Sequence, residues 1–141
     1  MALLVTLVGV LPATGCGGRR PAIAVTDAWA RATPAASTVG AAYMRLASAD
    51  GDRLIGVAVP PSVASAAELH EVVTDSLGRM QMRPVTGIDL PAGRTIELRP
   101  GGWHVMLVGL TRPLAAGGSI VVRLRFEKAA ELAVRVTVRG S

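Results

Sequence analysis

Alternation with a period of two runs through this chain and decides its fold class. Along residues 119–126, Ile120, Val122, Leu124 and Phe126 alternate with Ser119, Val121, Arg123 and Arg125. Along residues 132–138, Leu132, Val134, Val136 and Val138 alternate with Ala133, Arg135 and Thr137. Apolar residues on one side and mostly polar ones on the other are what a half-buried strand requires. Further strands are expected over residues 23–29, 41–46, 53–59, 68–74, 79–83, 95–98 and 104–110. Turn signals separate them: Asp50-Gly51-Asp52, Pro60-Pro61, Ser76-Leu77-Gly78, Pro91-Ala92-Gly93, Pro100-Gly101-Gly102 and Gly117-Gly118. Residues 62–67 are expected to form one short helical turn. Strands at this spacing predict an all-β, single-domain antiparallel sandwich.

Length and composition remove several function classes. The chain has 141 residues, half of them hydrophobic, which suffices for one core and leaves no room for a nucleotide domain beside a substrate domain. It contains neither GxGxxG nor GxxxxGK[ST]. The formal charge is +5, yet the basic residues are scattered singly apart from Arg19-Arg20. The aromatics are only Trp29, Tyr43, Trp103 and Phe126. No stacking platform lies beside a basic groove, so nucleic acid is not an expected partner.

The N-terminal segment reads as an export signal. Residues 2–12 are apolar with only Thr6 as a mild break, too short to span a bilayer and suited to a signal's apolar region. Ala13-Thr14-Gly15-Cys16 follows. This string resembles the lipobox of bacterial lipoproteins, in which the Cys is acylated and becomes the new N-terminus. Residues 1–15 are therefore expected to be a lipoprotein signal peptide, Cys16 the lipid attachment site and residues 16–22 a tether. Residues 23–141 form the domain, outside the cytoplasmic membrane. A lone Cys at the tether excludes an internal disulfide, a cysteine-built zinc site and a blue-copper centre in the core.

The residues able to do chemistry are few and clustered. Both His and three of the Met fall in Leu69-His70-Glu71, Met80-Gln81-Met82-Arg83-Pro84 and His104-Val105-Met106. Residues i and i+2 of a strand face one side, so His104 pairs with Met106 and Met80 with Met82. Imidazole with thioether is a soft, neutral donor set, suited to Cu(I) and useless to Mg²⁺ or Ca²⁺. Imidazole must be neutral to ligate, so affinity is expected to fall below about pH 6. Each residue also has a packing reading. Met is a common gap-filler in cores, and Met44, with no His near it, is expected to be one. Trp103, next to His104, is expected on the opposite, core-facing side. Glu71 points away from His70 and is not its acid–base partner. No GxSxG elbow is present.

Four strings resemble the periplasmic copper chaperone family PCu(A)C, whose members are cupredoxin-like. They are Ala28-Trp29-Ala30-Arg31-Ala32-Thr33-Pro34, Leu69-His70-Glu71, Met82-Arg83-Pro84 and Pro100-Gly101-Gly102-Trp103-His104-Val105-Met106-Leu107. The resemblance spans about residues 25–138. The family motif is His, ten residues, Met, twenty-one residues, then His-x-Met. Here twenty-one residues separate Met82 from His104, and eleven separate His70 from Met82. A one-residue insertion in the hairpin at residues 75–79 accounts for the difference, and Met80 is the competing ligand it introduces. The resemblance implies Cu(I) held by His70, Met82, His104 and Met106. It also implies delivery by ligand exchange to the binuclear copper centre of cytochrome c oxidase or its assembly factor. It implies no enzymatic activity. The rival is a metal-free immunoglobulin-like interaction module in which the same Met and His are packing residues.

Overall fold

The computed structural model describes residues 22–140. The signal segment 1–15, Cys16 and all but the last residue of the tether lie outside the described residues. Ten strands follow one another: β1 (Ile23–Arg31), β2 (Val39–Ser48), β3 (Asp52–Ala58), β4 (Ala64–Thr74), β5 (Met80–Pro84), β6 (Ile88–Leu90), β7 (Thr95–Leu98), β8 (His104–Leu110), β9 (Ser119–Phe126) and β10 (Leu132–Arg139). They form one continuous ladder in the order β5-β4-β8-β2-β1-β10-β9-β3-β6, with β7 also on β2. Every pairing is antiparallel except β1 with β10. The ladder bends on itself, bringing β3 against β4 and β6 against β2. The result is a sandwich with its core between the two layers.

The alternation read from the sequence is what fills that core. In β9, Ile120, Val122, Leu124 and Phe126 are buried and their neighbours are exposed. In β8, Val105 and Leu107 are fully buried. In β2, Ala42, Met44 and Leu46 face the same interior, and Met44 is the packing residue its surroundings predicted. The helical turn expected over residues 62–67 does not form. Pro60 accepts a bond from the Val63 N–H at 2.9 Å, and strand β4 begins at Ala64. Alanine favours helix, but pairing of Ala64, Ala66 and Ala67 with Leu110, Val108 and Leu107 of β8 overrides that weak preference.

Two local features shape the outer face where His70, Met82, His104 and Met106 lie. The first is a bulge in β1 between Thr26 and Trp29, with Asp27 at φ 50°. Asp is one of the few residues with a side chain that tolerate this left-handed conformation. The extra residue switches parity: Ile23 points inward before it and Ala30 after it. Trp29 and Arg31 are thereby turned outward. Arg139 clamps the bulge with a 2.7 Å bond to Asp27, which holds that carboxyl below its usual range. The second feature is the way β2 divides its edge. Its first half, Val39–Ala42, pairs with β8, and Met44–Ala47 pairs with β7. This division leaves the start of β8 beside the centre of β2.

Candidate metal centre

The register across β5, β4, β8, β2 and β1 builds the site. His70 pairs with His104, and Pro84 pairs with His70 on the other side. Trp29 pairs with Tyr43, and Tyr43 lies two residues beyond Ala41, the partner of Met106. Paired residues share a face. One row across the sheet therefore reads Trp29, Tyr43, His104, His70, Pro84. The next row contains Met106 between Ala41 and Glu68. Val72 pairs with Met82 one step the other way. All these side chains are on the outer face, opposite Val105 and Leu107.

Ring packing buries the two imidazoles although they face away from the core. The His70 and His104 rings are 5.9 Å apart, and Tyr43 lies 6.4 Å from His104 on its other side. Trp29 packs against Tyr43 with ring centroids 4.6 Å apart and the planes tilted by 42°. His104 is only 3% exposed, like a core residue. Burial pushes the Tyr43 hydroxyl up from its usual range, with the charge of Arg31 pulling the other way.

Each imidazole has one nitrogen fixed and one left over. The Gly102 carbonyl lies 3.0 Å from His104 Nδ1. A carbonyl can only accept, so Nδ1 donates and Nε2 keeps its lone pair. The Glu68 carboxylate lies 2.8 Å from His70 Nε2. An ionised carboxylate also only accepts, so Nε2 carries the proton and Nδ1 keeps the lone pair. The two remaining atoms, His70 Nδ1 and His104 Nε2, are buried and have no hydrogen-bond partner among the described residues. A buried polar atom without a partner costs about 1–3 kcal/mol, so two on neighbouring rings mark a place where a bound species completes the site.

A cleft of about 360 Å³ opens beside them, walled by His104, Met106, Met82, Val72 and Tyr43 on one side and by Arg31, Ala32, Thr33 and Pro34 on the other. Its space exists because Ala41, the outward-facing residue of the intervening strand beside Met106, is small. His70 is not a wall of the cleft and reaches the site through its contact with His104. Met106 is half-buried, and Met82 is exposed at the mouth. Met80 pairs with Thr74 at the end of the hairpin and does not line the cleft. The hairpin loop falls at residues 75–79, where the sequence placed it. Among the described residues no three His, Cys, Asp or Glu side chains gather as a metal cluster. Any metal bound here depends on the thioethers, which points to a soft ion.

Two readings of individual residues change. Trp103 is not core: it is 37% exposed in the loop before β8, where strand alternation does not yet apply. Glu71 does face away from His70, bonding Arg83 at 2.7 Å, but Glu68 is a carboxylate partner that sequence reasoning missed. The signal was available, since Glu68 and His70 stand at i and i+2 like His104 and Met106. A carboxylate that holds the far nitrogen of a ligating imidazole is worth about 10–100-fold in metal affinity. Glu68→Ala is therefore expected to weaken any metal bound by His70 within that range and to leave thermal unfolding nearly unchanged. Titration with Cu(I), the soft ion of choice, checks this, and unaltered affinity would mean that the contact is incidental.

The family model described as "Putative lipoprotein LpqE-like" matches residues 23–138. A protein of Leifsonia xyli subsp. xyli named "Putative lipoprotein" is 36% identical over 141 aligned residues, which cover 92% of this chain and 84% of the relative. Among solved structures, the copper-bound PCuAC domain from PmoF2 superposes with a TM-score of 0.69 at 26% identity, covering 86% of this chain and 95% of that one. The Cu(I) form of DR1885 from Deinococcus radiodurans does so with a TM-score of 0.62 at 31% identity, covering 87% and 81%. The apo form of the same protein gives 0.65 at 30% identity, covering 100% and 95%. The sandwich is thus cupredoxin-like, of the kind seen in PCuAC domains, and the chain belongs to the LpqE-like lipoprotein family.

Proposed function

We propose that this protein is an extracytoplasmic Cu(I) metallochaperone, not an enzyme, with His70, Met82, His104 and Met106 as ligands. The observation that carries the reading is the pair of buried, partnerless nitrogens, His70 Nδ1 and His104 Nε2, on the same face as Met106. Likeness to copper-bound PCuAC domains supports it. The donors are neutral and soft, so they hold Cu(I) without strong charge attraction. An acceptor with thiolates can then take the ion stepwise, each new bond replacing an old one. Met82 at the mouth is the first ligand such an acceptor reaches. The resemblance to PCu(A)C chaperones favours the binuclear copper centre of cytochrome c oxidase, or its assembly factor, as acceptor. The lipoprotein names of the family and of the Leifsonia relative support an anchor at Cys16 on the outer face of the cell membrane.

The test is an anaerobic Cu(I) titration of the full chain in mild detergent against a competing chelator, beside the His104→Ala/Met106→Ala double variant. One tight equivalent is expected, absent from the variant. No binding, or equal binding by both, would make these residues packing groups and leave the metal-free interaction module.

A further inference from the structure

Among the described residues, Arg31 is the one charged group on the wall of the cleft, and it makes none of the ion pairs found there. Its neighbours on this face are occupied otherwise: Arg139 is bonded to Asp27 and packs over Trp29, and Arg45 is bonded to Glu97. The β1 bulge is what turns Arg31 toward the cleft. From Ala30, which pairs with Ala42, the register continues to Arg31 beside Ala41, and Ala41 pairs with Met106. Only an alanine separates the guanidinium from the thioether within that row. The nearest carboxylate in the row, Glu68, is on the far side of Met106 and already engaged by His70.

This arrangement has an electrostatic consequence that rests on the reading under Proposed function. Four neutral ligands leave Cu(I) with its full positive charge, and Arg31 adds a second across the cleft. The loaded site therefore lacks an anion on the open side. Guanidinium groups recognise carboxylates through paired N–H donors. We propose that Arg31 and the adjoining cleft wall form an anion subsite that receives a carboxylate borne close to the thiol of the partner exchanging copper with this protein. The remaining walls at that end, Ala32, Thr33, Pro34 and Val39, are apolar or small, and the Thr33 hydroxyl oxygen already accepts from the Leu114 N–H, so the matching segment is extended and largely apolar apart from its acid and thiols. Exchange moves Cu⁺ without electron transfer. A Cu–S(thiolate) bond forms as a bond to Met or His breaks, and the thiol proton passes to solvent.

The test compares two probes differing by one carboxylate: N-acetylcysteine, and N-acetylcysteine amide. Anaerobic stopped-flow measures the rate at which each removes Cu(I) from the full-length protein, wild type and Arg31→Gln. Electrostatic steering of this kind changes rates by about tenfold or more. Wild type is expected to lose copper about tenfold faster to the acid than to the amide at low salt, a ratio that shrinks as salt screens the pair. Arg31→Gln is expected to bring the ratio near one, and Arg31→Lys to restore part of it. Equilibrium Cu(I) binding is expected to persist in all three, slightly tighter in Arg31→Gln because a positive charge across the cleft from the ion is gone. Normal copper binding with equal ratios in wild type and Arg31→Gln would overturn the subsite alone. Failure of the wild type to bind Cu(I) would overturn the chaperone reading and the subsite with it.

Discussion

His104→Ala is expected to lower Cu(I) affinity by more than about 100-fold, the upper end of what loss of a merely supporting group costs. His104 lies at the centre of the outer row, flanked by the His70 and Tyr43 rings, with its Nδ1 proton committed to the Gly102 carbonyl. That bond fixes the tautomer and orients Nε2, so the ligand is preorganised before metal arrives. Alanine removes both the nitrogen and the ring that buries its neighbour. Met82→Ala is expected to cost less, because an exposed thioether at the mouth gains less from burial around the ion. Met80→Ala is expected to change nothing, since Met80 sits opposite Thr74, away from the cleft. Competition titrations of the three variants check the order. A Met80→Ala loss as large as that of Met82→Ala would contradict the assignment of Met82.

How far the sequence discloses this site depends on whether a feature is local. The faces of β8 and β9 follow from alternation, and so does the shared face of His104 and Met106. The choice between Met80 and Met82 does not. Both have the right parity, and only the β4–β5 register distinguishes them. The His70–His104 pairing joins strands distant in sequence, and no period predicts it. Trp29 and Arg31 show the same limit more sharply. Their outward direction depends on one extra residue at Asp27, and a one-residue slip moves every later side chain to the other face. Short β6 went unforeseen because three residues cannot display a period. Trp103 misled because it precedes its strand by one residue.

Met44 and Met106 permit a decision between the copper site and the packing interpretation within one residue type. Met44 is 1% exposed, on the core face of β2. Met106 is half-buried on the outer face of β8, beside the cleft. A buried Met→Ala change removes apolar burial and leaves a cavity, costing about 2–5 kcal/mol. Met44→Ala is therefore expected to lower unfolding stability by that amount and leave Cu(I) affinity intact. Met106→Ala is expected to do the reverse. An outer-face thioether at the edge of a cleft has few core contacts to lose, so it should cost less than about 1.5 kcal/mol of stability while copper binding weakens severely. Denaturant unfolding of the apo proteins and competition titrations supply the two axes. If Met106→Ala proves as destabilising as Met44→Ala and leaves copper affinity unchanged, Met106 is a packing residue. The metal-free module would then be the better account of this face.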